Sequence, residues 1–154
     1  MEKNQESKSR FSGEKGVGLM EVIIGVLVTL IVGSILLHLL RMAYDMHKLK
    51  STTSSIAHKL EVAREQAVNR RQDFSVIFEA ERGRFGLDLN NNGKLDTIEA
   101  DELPEGVGLS EDSIITFSRS GKLKAGLKEP EIIISNSRDA RTITVSTLGA
   151  IDID

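Results

Sequence analysis

Along the chain the spacing of apolar residues changes twice, and these changes divide it into three parts. Val17 to Leu40 is an almost unbroken apolar run whose only ionisable residues are Glu21 and His38. It is apolar on every side, which predicts a helix made for non-aqueous surroundings and not for one face of a soluble core. Its 24 positions make roughly 36 Å of helix, enough to cross a hydrocarbon layer of about 30 Å. From Arg41 to Arg71 the pattern becomes amphipathic. Leu49, Thr53, Ile56, Leu60, Ala63 and Ala67 follow at spacings of three and four, a single helical face. Lys59, Glu61, Arg64, Glu65 and Arg70 occupy the other side. The simplest geometry is one long helix, its first half in a membrane and its second half packed on a domain. The hydroxyl run Ser51 to Ser55 is its expected weak point, because such side chains compete for backbone hydrogen bonds.

After Arg71 the period drops to two. "FSVIF" puts Phe74, Val76 and Phe78 on one face, and "RFGLDL" does the same for Phe85, Leu87 and Leu89, with Gly83 as turn material between. Further strands are predicted at Ser113–Ser118, Glu131–Asn136 and Thr142–Thr147, the last two paired across Ser137 to Ala140. Pro104, Pro130 and several glycines mark the loops. A helix followed by antiparallel strands, with both sharing one core, is an α+β layer packing. The expected parts are 17–40 spanning a membrane, 41–71 continuing the helix, and 72–154 forming a small antiparallel β-sheet domain.

Composition narrows the chemistry. With no cysteine there is no disulfide framework and no thiolate metal site. The formal charge is −3. Residues 1–16 hold four Lys/Arg and three Glu, so the remainder has 16 basic and 20 acidic residues, net −4. An acidic domain has no sequence-independent attraction for nucleic acid, and 4 % aromatics without Trp leave little for stacking bases. His47 and His58 are about 16 Å apart on a helix, too far to share a metal. No Gly-x-Ser-x-Gly elbow, Ser-x-x-Lys pattern or phosphate-binding glycine loop appears, so an enzyme is not expected.

The charge at Glu21, inside "GVGLMEVIIG", needs its own explanation. A secretory signal peptide would be shorter and would end in a small-residue cleavage site. In a plain anchor, a shallow Glu could reach the interface by snorkelling. Otherwise an intramembrane carboxylate implies a partner. The surrounding residues favour the partner: a short hydrophilic leader ends in Lys15-Gly16, Leu19 and Met20 are apolar, and Glu21 is fifth when counting starts at Val17. This resembles the leader of type IV prepilins and of type II secretion pseudopilins. The resemblance implies cleavage after Gly16 by a prepilin peptidase, N-methylation of Val17, and removal of residues 1–16. It also implies that Glu21 meets the α-amino group of a neighbouring subunit, so that two groups costly in hydrocarbon satisfy each other.

Three further stretches carry a narrower resemblance. "LEVAREQAVNRR" (Leu60 to Arg71), "ITFSRSGKLKAG" (Ile115 to Gly126) and "RTITVSTLGAIDI" (Arg141 to Ile153) are similar to blocks of the GspH/FimT family. That resemblance implies a type IV pilin-like fold and a minor subunit at or near the tip of a pilus-like filament, in type II secretion or type IV pilus biogenesis. Implied partners are prepilin peptidase, other pilins and pseudopilins, the inner-membrane assembly platform and the bilayer. The implied location is the bacterial inner membrane, single-pass, with the C-terminal domain in the periplasm. The competing class is a membrane-anchored binding module for DNA or a surface ligand. Asp152 and Asp154 at the chain end argue against DNA, while "SRSGKLK" (Ser118 to Lys124) is a small cationic loop.

No cofactor is required, but one loop has the pattern of a calcium site. "DLNNNGKLDTIE" places Asp88, Asn90 and Asn92 at positions one, three and five, and Gly93 at the sharp turn. Lys94 would offer its main-chain carbonyl, with Asp96 at nine and Glu99 at twelve. The other reading is that Asn-Asn-Gly is good turn chemistry between two strands.

Overall fold

The computed structural model describes residues 14–124 and 129–154, and side chains from Gly18 onward. The expected leader therefore lies largely outside the described residues, as do the side chains of Gly16 and Val17. The chain has two units, with the boundary between Ala43 and Tyr44.

Helix α1 runs from Glu14 to Arg70. Through the first unit its apolar side chains, Leu19 to Leu40, are all exposed. A segment of this length and composition is able to cross a membrane. In the second unit the predicted face is the buried one: Leu49, Thr53, Ile56, Leu60, Ala63 and Ala67, joined by Thr52 and Ala57. The expected weakness at Ser51 to Ser55 is absent. There the Thr52 and Thr53 hydroxyls donate to the carbonyls of Lys48 and Leu49, 2.9 Å each, one helical turn back, so the backbone ladder is kept. The helix stops at Arg71, which takes a left-handed conformation with φ 54°.

Among the described residues eight strands follow: β1 (Phe74–Glu79), β2 (Arg84–Asp88), β3 (Ala100–Glu102), β4 (Val107–Leu109), β5 (Ser113–Phe117), β6 (Glu131–Asn136), β7 (Ala140–Val145) and β8 (Ile151–Ile153). They form two four-stranded sheets, β3-β2-β1-β5 and β4-β6-β7-β8, where the sequence suggested one small sheet. Every pairing is antiparallel. The last predicted strand starts two residues earlier, at Ala140, because the turn after Asn136 is tight and is closed by the Asn136 side chain accepting from Arg138 and Asp139 N–H.

One core joins helix and sheets. Ile56, Leu60, Ala63 and Ala67 from α1 pack with Phe74, Val76 and Phe78 of β1, Ile115 and Phe117 of β5, and Ile132, Ile134, Ile143 and Val145 of the second sheet. Leu89, expected to face this core, lies past the end of β2 and is exposed.

Candidate functional site

Two places carry the chemistry expected from the sequence. The first is Glu21, an exposed position on α1 amid exposed Leu19, Met20, Val22 and Ile23. No ion pair to it exists among the described residues. A carboxylate in that setting is satisfied only by water, by headgroups or by another chain.

The second is the loop after β2. Ser75 and Asp88 are opposite each other in the β1–β2 register, on the face of the first sheet turned away from the main core. Asp88 is only 1 % exposed. Its Oδ1 accepts from Asn92 N–H at 3.0 Å and its Oδ2 from Gly93 N–H at 2.8 Å. Asn90 Oδ1 also accepts from Asn92 N–H, 3.1 Å, and its amide donates to Asp96 Oδ2 at 2.8 Å. Asn92 Oδ1 accepts from Lys94 N–H at 2.7 Å. Positions one, three, five and nine of the pattern are thus linked in one loop. Among the described residues no three His, Cys, Asp or Glu side chains converge as a ready metal cluster, so the carboxylates of Asp88, Asp96 and Glu99 are not drawn to one point.

The loop then folds back on the sheet. A Cβ on Gly86 would lie 2.2 Å from the Glu99 carbonyl oxygen and 2.7 Å from Leu95 Cδ1, so only glycine leaves room for this approach. Leu95 is buried by it, whereas Ile98, three residues on, is 99 % exposed. Arg84 donates to the Leu95 carbonyl at 3.4 Å and, through Nε, to Glu79 at 2.5 Å. The sequence pattern alone did not indicate that Leu95 is the loop's anchor, and Gly86 inside a strand was the available signal.

Outside these places, His47 and His58 line an open groove of about 570 Å³ with Lys50, Ser51, Ser54 and Ser55, and both are exposed. The cationic loop Ser118 to Lys124 lies against the end of α1: Gly121 approaches Val68 and Arg64, and Lys124 pairs with Asp73 at 2.5 Å. Exposed Arg64, Arg119 and Lys122 therefore belong to one neighbourhood, in which Arg64 is 55 or more residues from the other two in sequence. Asp152 pairs with Thr144 in the second sheet.

Comparison with solved structures gives the same architecture. The type IV minor pilin FimU of Pseudomonas aeruginosa superposes with a TM-score of 0.59 at 16 % identity, covering 71 % of this chain and 90 % of that one. The minor pseudopilin EpsH of the Vibrio cholerae type 2 secretion system gives 0.54 at 17 % identity, covering 70 % and 96 %. At such identities the likeness is one of fold. No curated protein sequence matches. The family model described as type II transport protein GspH matches residues 52–149, from the packed half of α1 to the Gly149 turn. That match spans more than half of the chain and every strand from β1 to β7, and the chain belongs to the GspH family.

Proposed function

We propose that this chain is a minor pilin-like subunit of a short periplasmic filament serving type II secretion or type IV pilus biogenesis. It is made with a leader, residues 1–16, that prepilin peptidase removes after Gly16, and Val17 becomes the N-methylated terminus. Residues 17–40 hold it in the inner membrane, 41–71 continue the helix, and 72–154 form the periplasmic domain. Glu21 carries the assembly contact by pairing with the α-amino group of an adjacent subunit's helix, and no catalytic step is assigned to the chain.

The observation that carries this reading is the combination, on one helix, of an exposed apolar segment with a lone carboxylate and a face packed into a GspH-family domain. An apolar surface of that length needs lipid or other helices, and a carboxylate within it needs a cation. The structural neighbours, a minor pilin and a minor pseudopilin, support the same role without choosing between pilus and secretion.

The test is a photoreactive residue in place of Val22 in native membranes, with products identified by mass spectrometry. Capture of another pilin-like chain's N-terminal helix supports the reading, and that chain's identity tells secretion from pilus. Capture of lipid alone, with residues 1–16 still attached, sinks it. The anchored-binding-module reading has one observation in its favour, the Arg64, Arg119 and Lys122 neighbourhood, where a polyanion would find exposed cations. It predicts that Glu21→Ala is silent.

A further inference from the structure

We propose that the Asp88–Glu99 loop binds calcium, and that the ion holds the loop down on the outer face of the first sheet. This does not depend on the assembly reading. Glu99, the twelfth position of the pattern, is the residue where the structure leaves a buried oxygen without a partner: among the described residues, Glu99 Oε2 is the sole buried side-chain oxygen or nitrogen with no hydrogen bond. A buried carboxylate oxygen without a donor is costly, and a bound cation removes that cost.

Asp88 adds a second, separate demand. It is almost wholly buried, its oxygens are met by two neutral main-chain N–H groups, and no Lys or Arg pairs with it among the described residues. The loop thus holds one buried carboxylate, Asp88, and a half-buried one, Glu99, with a buried oxygen that has no donor; neither is paired with a cation among the described residues, which calls for positive charge from outside the chain. The donors the pattern would offer are all hard oxygens: side chains of Asp88, Asn90, Asn92, Asp96 and Glu99 and the main-chain carbonyl of Lys94. Six or more mixed carboxylate, carboxamide and carbonyl oxygens on a flexible loop suit calcium, while magnesium prefers a stricter octahedron and keeps its waters. The Asn90–Asp96 hydrogen bond would give way to the ion. With three carboxylates, the dissociation constant is expected near 10⁻⁴ to 10⁻³ M, on the order of extracellular calcium modules. Because the Glu99 main chain and Leu95 are what touch Gly86, fixing Glu99 fixes the seat of the loop.

The loop carries its own reporter. Lys94 is the only Lys or Arg between Arg84 and Arg119, so tryptic cleavage after it gives an unambiguous product. The experiment is limited trypsinolysis of the full chain in detergent, with calcium, with equal magnesium, or with chelator. At calcium about ten times the dissociation constant, cleavage at Lys94 should slow roughly tenfold, since opening must compete with binding. Magnesium should leave it within about twofold on the same reasoning, and Glu99→Gln should abolish the calcium effect. Should Glu99→Gln fail to melt cooperatively, Asp96→Asn, at an exposed position, takes its place with the same expected loss. No slowing by calcium in the unaltered chain overturns the proposal. So does equal slowing by magnesium, or protection that survives both substitutions.

Discussion

Gly149 and Gly121 meet main chain to main chain: a Cβ on Gly149 would lie 2.2 Å from the Gly121 carbonyl oxygen. Both glycines have positive φ, +82° and +74°, and the Arg64 side chain lies along both. Their turns close the ends of β5 and β7, so this contact ties the first sheet, the second sheet and the end of α1 together. Two stretches that are separate in sequence, "SRSG" and "TLGA", are one structural joint.

Gly149→Ala should therefore be costly twice over. A left-handed non-glycine residue costs about 1–2 kcal/mol, and the forced separation of the two turns about 1–3 kcal/mol more. Gly108→Ala is the control, since a Cβ there meets nothing within 4 Å. Urea midpoints of the two variants should differ clearly, and equal midpoints would show that the turns separate freely.

Leu60 lies at the centre of the core that α1 shares with both sheets. Leu60→Ala should lose about 2–5 kcal/mol of unfolding free energy, as buried leucine truncations do. A loss below 1 kcal/mol, read from chemical denaturation, would mean the site collapses around the smaller side chain.

Glu21→Ala should leave the melting of the 44–154 unit within about 0.5 kcal/mol, as exposed substitutions do, because Glu21 is exposed and lies in the other unit. The same variant should lose the Val22 cross-link to a neighbouring helix. A large shift in melting, measured by circular dichroism, would instead give Glu21 a structural role within its own chain.

Acid should weaken the domain through two carboxylates. Hydrogen bonding from Lys124 lowers the Asp73 pKa below its ordinary 3.8, and hydrogen bonding from Arg84 lowers that of Glu79 below 4.5. Each is held ionised in the folded chain more strongly than in the unfolded one. Their contribution is therefore present above the ordinary values and is lost as pH falls through the depressed folded values. Melting temperature should fall between about pH 5 and about pH 3, and Glu79→Gln should flatten that limb. Both pairs are partly exposed, so added salt should shrink the effect.

Long periodic elements were legible in the sequence. The six-position helical face from Leu49 to Ala67 is buried throughout, and Phe74, Val76 and Phe78 face the core as their alternation requires. Strands β3, β4 and β8 were not, because three residues such as Ala100-Asp101-Glu102 contain no repeat to detect. The hydroxyl run at Ser51 to Ser55 misled for a related reason: local competition for hydrogen bonds loses where Thr53 and Ile56 are buried in the core. For the Asp88–Glu99 loop, the order of oxygen donors was legible, but the burial of Asp88 was not.

Local chemistry is written in the order of residues, so the sequence by itself determined the apolar span with its single carboxylate, the helical face, the main strands and the donor pattern of the loop. Only the tertiary structure decided that the strands split into two sheets, that Leu95 seats the loop over Gly86, and that Gly121 meets Gly149 beside Arg64. Each of these depends on how closely two backbones approach across many intervening residues, and that distance is set by packing, not by any local period.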